Sequence, residues 1–269
     1  MKHREIPDDV TIKEVTIKKE KTGEWFACFA VDGKETPEKP TDPERCVGID
    51  VGVLKYAHDT DGTAVGSLDL SDEHERLERA QRNLSRKEHG SNNWEKQRKV
   101  VAQRHADLKR KRRDFLHKLS NYYATEYDLV AVEDLDAKGL VELPGNSRNR
   151  ASAAWGTFKR MLEYKCDREG THFVAVDPKD TTKECASCGV KTEKPLWIRE
   201  HSCPSCGFEA DRDANAAINI LSRGLSKLGV GHSESTPVET ALPVDTSVSA
   251  KRVVESGSPT LKEAAVAAE

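Results

Sequence analysis

The N-terminal part of the chain alternates apolar and polar positions before it becomes rich in proline. Residues 10–32 repeat with the period of two that is typical of strands, on either side of a Lys-Thr-Gly-Glu segment that favours a turn. This pattern predicts a β-hairpin. Three prolines follow in the segment Thr36–Glu44, and because proline suits neither a helix interior nor a central strand, we place a domain boundary there.

Short apolar runs alternate with long periodic segments in the middle of the chain. Cys46–Val51 and Leu54–Leu68, which contains an Asp-Gly turn, predict three antiparallel strands. Ser71–Leu119 has no proline, and its apolar residues recur every three or four positions with one interruption, so we expect two long charged helices. Leu129–Val132 is apolar at every position, as expected of a strand that is covered on both faces.

The last part of the chain contains three further predicted elements. Ala151–Arg168 is amphipathic and predicts a helix, and Phe173–Val176 predicts a short strand. Asp213–Leu225 is rich in alanine, isoleucine and leucine, which predicts a helix with Asp213 as its N-cap. Residues 231–269 show no periodicity and are rich in serine, threonine and proline, so we expect a disordered tail.

Four of the seven cysteines form two Cys-x-x-Cys pairs, Cys185 with Cys188 and Cys203 with Cys206. A glycine follows each pair, which lets the backbone turn its amides toward the sulfurs. Four thiolates on two such turns form a zinc ribbon, so we expect one structural Zn²⁺ per chain with no open site for water. A redox-active pair and two chance pairs are the alternatives. The other three cysteines lie in apolar runs and are expected to be core thiols: Cys28, Cys46 and Cys166.

Composition excludes a protein with a large apolar membrane phase, and the N-terminal residues do not favour secretion by a standard signal. Hydrophobic residues make up 36% of the chain and charged residues 33%, and no run of eighteen apolar residues occurs. The first twenty residues contain no apolar core of the signal-peptide kind. We therefore expect a cytoplasmic protein without a membrane partner.

Basic charge is concentrated in the middle of the chain. The net charge is only −3, but residues 71–120 contain fifteen Lys or Arg against eight Asp or Glu. Such a segment is either the solvated face of a helix or a surface that contacts nucleic-acid phosphates. The candidates for phosphate contact form one run: Lys109, Arg110, Lys111, Arg112 and Arg113. Trp197 and Phe208 either stack on bases or pack against the ribbon.

Three acids follow predicted elements in a way that suggests a shared site. Asp50 comes at the end of an apolar strand, Glu133 ends the buried strand, and Asp213 opens the last helix. In an RNase H-like fold the first and fourth strands are neighbours and the last helix begins beside them, so these acids would converge. Grouped carboxylates repel one another unless divalent cations lie among them. Isolated acids at strand ends are otherwise commonly solvated.

Five segments together resemble the TnpB (OrfB) family of transposon-encoded proteins, which are RuvC-like nucleases related to type V CRISPR effectors. The similarity extends from about residue 11 to about residue 226 and is carried by Gly48–Gly52, Leu129–Leu140, Trp155–Lys165, Val176–Gly189 and His201–Leu221. The resemblance implies that Asp50, Glu133 and Asp213 are the nuclease triad. Asp211 is the second choice for the third acid. Asp134 is a weaker choice than Glu133, because adjacent strand residues point to opposite faces.

The expected fold class is α/β, an RNase H-like (RuvC-like) mixed sheet with a helical insertion and an inserted zinc ribbon. The expected domains are a wedge-type hairpin with a proline-rich linker at 1–44, a nuclease domain at 45–180 with its insertion at 71–119, the ribbon at 181–210, a last nuclease helix at 211–230 and the tail at 231–269. Family members usually begin with a longer wedge and recognition part, so we expect a shortened copy.

The resemblance implies a transposon-associated DNA endonuclease. Two Mg²⁺ bound by the triad would activate water and stabilise the leaving oxygen of a phosphodiester, and a transposon-derived guide RNA would be a partner beside the DNA substrate. A catalytically idle nucleic-acid-binding protein or regulator is the main alternative, and a strand-transferring transposase is a weaker one. The presence of all three acids argues against an idle protein.

Overall fold

The computed structural model describes residues 10–32, 36–136, 153–195 and 198–229. The chain divides into two compact units, one formed by Met1–Thr36 with Leu70–Arg113 and the other by Pro37–Asp69 with Asp114–Glu269. The expected tail at 231–269 and Trp197 lie outside the described residues. Within those residues, no helix combines the length and the apolar character that crossing a membrane requires.

The first unit contains the predicted hairpin. Strands β1 (Thr11–Lys19) and β2 (Trp25–Asp32) pair antiparallel, with a bulge between Ile12 and Glu14. All residues of both strands are exposed. The prediction that Cys28 is a core thiol is therefore wrong. The alternating pattern of the hairpin correctly indicated strands, but Cys28 lies opposite Thr16 on the face that does not carry Phe29, and the residues of both faces are exposed.

One helix and the first part of a second complete the first unit and confirm the prediction for the charged middle segment. Helix α1 (Ser71–Ser85) buries Leu77 and Ala80, and helix α2 spans Asn92–Glu126. The helix α2 continues beyond the predicted end at Leu119, because Tyr123 supplies another fully buried side chain.

The second unit is built on a mixed five-stranded sheet. Its strands are β3 (Cys46–Val51), β4 (Lys55–Asp59), β5 (Ala64–Gly66), β6 (Leu129–Glu133) and β7 (His172–Val176), in the order β5-β4-β3-β6-β7. The first three strands are antiparallel, as predicted, whereas β6 is parallel to both β3 and β7. The first and fourth strands of the sheet are therefore neighbours.

Helices cover both faces of this sheet. On one face, Val47 and Val130 pack with residues of α2 such as Phe115 and with α3 (Trp155–Glu169). On the other face, Leu129, Ala131, Val174 and Val176 pack with Ile220 of α4 (Arg212–Leu228). Cys166 is fully buried, as predicted, and Cys46 is half-buried.

Helix α3 differs in its start from the prediction. It begins at Trp155 rather than at Ala151, because Ala154 adopts a left-handed conformation with φ 53° and cannot belong to a right-handed helix. Residues 151–152 lie outside the described residues. The strands β8 (Glu200–Ser202) and β9 (Glu209–Asp211) form a short antiparallel pair before α4.

Candidate functional site

Two of the predicted acids lie at the ends of neighbouring parallel strands. Asp50 is the fifth residue of β3, and Glu133 is the last residue of β6. The strands pair with Ile49 opposite Val132, so the next residues, Asp50 and Glu133, lie at the same level of the sheet. Both side chains lie on the sheet face that packs against α4. The residues directly before them, Ile49 and Val132, belong to the core on the opposite face, and successive strand residues alternate between faces.

Gly48 brings helix α4 into direct contact with this part of the sheet. A Cβ atom on Gly48 would lie 2.2 Å from the carbonyl oxygen of Ala217 and 2.7 Å from the backbone nitrogen of Leu221. No other residue type fits this space. Because Gly48 precedes Asp50 by two residues on the same strand face, this contact places the beginning of α4 close to the strand end that carries the acid.

Asp213 lies in the first turn of α4 and is 7% exposed. It is not the N-cap, contrary to the prediction. Asp211 has that role, because its backbone is extended and its Oδ1 accepts hydrogen bonds from the N–H groups of Asp213, at 2.8 Å, and Ala214, at 3.4 Å. The carboxylate of Asp213 instead forms ion pairs with Arg199, at 2.5 Å, and Arg212, at 3.2 Å.

The three acids act on one another electrostatically. Burial raises the pKa of Asp50 well above its usual range, and the negative charges of Glu133 and Asp213 raise it further. Burial also raises the pKa of Glu133, although the Thr181 hydroxyl donates a hydrogen bond to its carboxylate. Carboxylate oxygens from three elements are the donor type that fits a hard divalent cation.

The carboxylate oxygens of the three acids are not all as close to one another as the ligands of a single metal ion would be. In the described part of the chain, the cysteine cluster is the only group of three or more His, Cys, Asp or Glu whose ligand atoms all lie within 4.8 Å of one another. Two cations about 4 Å apart are held by a wider set of oxygens than one ion needs. Asp134, the weaker candidate, is exposed and pairs with Lys159.

His58 is a neighbour of Asp50 that the sequence analysis did not identify. It lies opposite Asp50 in the antiparallel pair of β3 and β4 and is 5% exposed. Burial lowers its pKa, as does the charge of Lys55, and its Nδ1 has no hydrogen-bond partner among the described residues. The only signal in the sequence was a polar residue inside a short apolar strand, which is too common to identify a site.

The four cysteines predicted to bind metal form one compact cluster. Their sulfur atoms all lie within 4.8 Å of one another, with Cys188 and Cys203 3.5 Å apart and Cys185 and Cys206 3.7 Å apart. Tetrahedral coordination with zinc–sulfur bonds of about 2.3 Å separates the sulfurs by about 3.8 Å. The cluster is therefore positioned to hold a metal ion, and its geometry and ligand type fit Zn²⁺.

The two cysteine turns repeat the same backbone geometry. Gly189 N–H donates to the carbonyl of Cys185 at 2.8 Å, and Gly207 N–H donates to the carbonyl of Cys203 at 2.9 Å. Both glycines have φ of 74°, which confirms the predicted turn at each pair. The N–H groups of Cys206 and Ser205 lower the pKa of Cys203 to about 6. The half-buried Phe208 lies with its ring centroid 6.2 Å from that of His201, within the ribbon.

The predicted basic run lies on α2 and is mostly exposed, with Arg112 half-buried. Arg110 pairs with Glu24 and also lies 3.6 Å from Glu20, and Lys111 pairs with Glu73. Acids of the same unit thus partly offset the run. Its contact with nucleic acid stays a prediction.

Two family profiles match successive parts of the chain. The OrfB profile described as "Probable transposase" matches residues 28–143, and the profile "Cas12f1-like, TNB domain" matches residues 155–220. The chain is also 37% identical over 235 residues to the "Putative RNA-guided DNA endonuclease" of Streptomyces pristinaespiralis, which covers 85% of this chain and 57% of the relative. The chain belongs to the TnpB (OrfB) family. The resemblance inferred from the motifs is therefore confirmed.

Further comparisons agree with membership of the TnpB family. The chain is 32% identical over 238 residues to the "Putative RNA-guided DNA endonuclease InsQ" of Escherichia coli (strain K12), covering 82% of this chain and 58% of the relative. It therefore spans a little over half the length of these relatives. The solved structure of a "CRISPR-Cas12f Ternary Complex" shares the fold, with a TM-score of 0.50 at 20% identity over 77% of this chain and 44% of that one.

Proposed function

We propose that this TnpB-family chain is a Mg²⁺-dependent DNA endonuclease with an RNase H-like (RuvC-like) nuclease domain. The acids Asp50, Glu133 and Asp213 are its cation ligands, and phosphodiester hydrolysis is its reaction. The support is the strand order, in which the first and fourth strands are neighbours, together with the position of the acids at the ends of those strands and in the helix beside them.

One observation carries the proposal: Asp50 and Glu133 lie at the same level of neighbouring parallel strands, on the sheet face that packs against the helix of Asp213. Acids from three separate elements therefore share one electrostatic environment. A protein gains no stability from burying three like charges together, so the arrangement is best explained by a positively charged ligand. Divalent cations are such ligands, and they in turn bind the phosphate groups of nucleic acids.

The residues of the chain would have distinct tasks in the reaction. When bound, two Mg²⁺ would supply an activated water and would offset the charge on the leaving 3′ oxygen. Asp50 and Glu133 would hold the cations from the rigid sheet, and the hydrogen bond from Thr181 would fix the orientation of Glu133. Arg199 and Arg212 pair with Asp213, and their guanidinium groups would bind a phosphate of the substrate.

We propose further that the cysteine cluster holds one structural Zn²⁺ and forms a zinc ribbon. The four sulfurs leave no ligand position for water, so this metal would stabilise the fold without taking part in the reaction. The proposed partners are target DNA and a guide RNA. They are supported by the names of the relatives, which call those proteins RNA-guided DNA endonucleases.

The test is cleavage of DNA by the purified chain with a transposon-end guide RNA and Mg²⁺. Glu133→Gln and Asp134→Asn form a matched pair, because the residues are adjacent but only Glu133 is buried against α4. We expect Glu133→Gln to reduce the cleavage rate at least about a hundredfold, because this is the typical effect of removing an electrostatic group that stabilises the transition state. Asp134→Asn should retain it. Equal activity of Glu133→Gln and wild type would refute the assignment.

A further inference from the structure

The segment Asp177–Ala186 connects the five-stranded sheet to the first cysteine turn. It contains Thr181, whose side-chain hydroxyl donates a hydrogen bond to the carboxylate of Glu133. It also contains Cys185, the first member of the cysteine cluster. One short stretch of chain therefore contacts an acid of the candidate nuclease site and supplies a sulfur to the cluster.

Asn215 of helix α4 is bound to the end of this segment by both ends of its amide group. Its Nδ2 donates to the carbonyl of Glu184 at 2.7 Å, and its Oδ1 accepts from the N–H of Ala186 at 2.9 Å. Ala186 lies between Cys185 and Cys188, inside the first cysteine turn. Asn215 is fully buried, so no water competes for these two hydrogen bonds.

Two further side chains at successive helical turns bind the rest of the segment. Asn219 Nδ2 donates to the carbonyls of Thr181 and Glu184, both at 2.8 Å. Arg223 donates to the carbonyl of Asp177 at 2.6 Å. Residues four apart lie on one face of a helix, so α4 presents one polar face to the whole length of the segment.

The same helix carries Asp213, two residues before Asn215. The helix therefore fixes the relative positions of three things: the carboxylate of Asp213, the first cysteine turn, and Thr181, which orients Glu133. A buried amide whose donor and acceptor both have partners allows little displacement, because each lost hydrogen bond would leave a buried polar group without one.

We propose that Asn215, supported by Asn219, is a positioning residue that makes cation binding by Asp50, Glu133 and Asp213 depend on the cysteine turn. This inference rests on the proposed function, since it takes those three acids as the cation ligands. Asn215 contacts no reacting atom in this arrangement. It acts by fixing the position of helix α4, which carries Asp213, relative to the segment that contains Thr181.

The experiment measures Mn²⁺ affinity by electron paramagnetic resonance on the full chain loaded with zinc, with Mn²⁺ as the probe for a carboxylate site. Asn215→Ala should keep about one zinc per chain and bind Mn²⁺ about tenfold more weakly, as the loss of an outer-shell partner typically causes. Asn219→Ala should show a smaller change in the same direction. Ser226→Ala, an exposed position on the same helix, is the control and should bind as wild type does.

Cleavage adds a second readout. Because the expected defect is in cation affinity, excess Mg²⁺ should restore the rate of Asn215→Ala toward that of wild type, which a general loss of folding would not allow. Unchanged Mn²⁺ affinity in zinc-loaded Asn215→Ala would overturn the proposal, and so would a defect that excess Mg²⁺ does not relieve. If Asn215→Ala fails to fold, the same two measurements on Asn219→Ala decide.

The acid site and the positioning role of Asn215 can be refuted separately. Asp50→Asn should lose most Mn²⁺ binding, and wild-type affinity in that variant would refute the acid site itself. Weak binding by Asp50→Asn beside wild-type binding by Asn215→Ala would leave the proposed function intact and refute only the positioning role.

Discussion

The hydroxyl of Tyr123 donates a hydrogen bond to Oδ2 of Asp59 at 3.0 Å in the interior of the sheet-containing unit. The other oxygen of Asp59 accepts from the backbone N–H of Thr63 at 2.8 Å, and the residue is only 1% exposed. Burial raises the pKa of Asp59 from 3.8 to about 6 in spite of these hydrogen bonds. The core of this unit thus contains a carboxyl group that titrates in a mildly acidic range.

We expect Asp59 to make the stability of the protein depend on pH. The folded state binds this proton more tightly than the unfolded chain, so the contribution of Asp59 to stability is complete below pH 3.8 and is lost as the pH rises through about 6. The full change is about 3 kcal/mol. Asp59→Asn has no group that titrates at this position. The free energy of unfolding of the variant minus that of wild type should therefore increase by up to this amount between about pH 4 and about pH 7. Denaturant unfolding at both pH values measures the difference, and a difference that stays constant with pH contradicts the prediction.

Gly48→Ala should separate helix α4 from the acid-bearing strand. The new methyl group would lie 2.2 Å from the carbonyl of Ala217, so the helix must move away, at a cost of about 1–3 kcal/mol in the free energy of unfolding. Because the helix carries Asp213, cleavage and Mn²⁺ affinity should fall as well. Thermal unfolding and Mn²⁺ titration of the variant test this, and wild-type values in both would show that the contact is not needed.

Removal of one cluster cysteine should release the metal from the ribbon. Cys206→Ser replaces a soft thiolate with a poor zinc ligand, so we expect the zinc content to fall from about one per chain to near zero and the unfolding temperature to decrease. Cys28→Ser is the matched control, since Cys28 is exposed on the hairpin. Elemental analysis of both variants distinguishes them, and equal zinc contents would mean that the metal binds elsewhere.

Substitutions at Asp211 and Asp213 should separate a helix cap from a cation ligand. Asp211→Ser keeps an oxygen that can cap α4, so stability and cleavage should stay near wild type, whereas Asp211→Ala should cost about 1 kcal/mol of unfolding free energy. Asp213→Ser should instead abolish cleavage, although the N-cap of α4 stays in place. Unfolding and cleavage assays on the three variants check this, and loss of cleavage in Asp211→Ser would transfer the ligand role to Asp211.

The strands and helices of the sheet-containing unit could be predicted because their patterns depend on burial alone. Leu129–Val132 is apolar at every position and is buried on both faces. Each cysteine pair with its glycine defines a turn through local geometry. The hairpin shows the limit of this reasoning: alternation indicates two strands, but it cannot indicate whether another element covers Val15 or Cys28.

The details of the candidate site depended on contacts between distant residues. Asp211 and Asp213 are both sound N-cap residues by type, and only the extended backbone at Asp211 decides between them. His58 and Asn215 are ordinary polar residues in the sequence. Their positions beside Asp50 and the cysteine turn follow from strand register and helix placement, which no local pattern contains.

The parallel pairing of β6 with both β3 and β7 has a consequence for synthesis of the protein on the ribosome. These strands are far apart in the chain, and helix α4 comes after all of them. A nascent chain can assemble the whole five-stranded sheet while its third acid is still inside the exit tunnel. The candidate acid site is therefore the last part of the unit to be completed, and an interrupted translation product that lacks α4 carries only two of the three carboxylates.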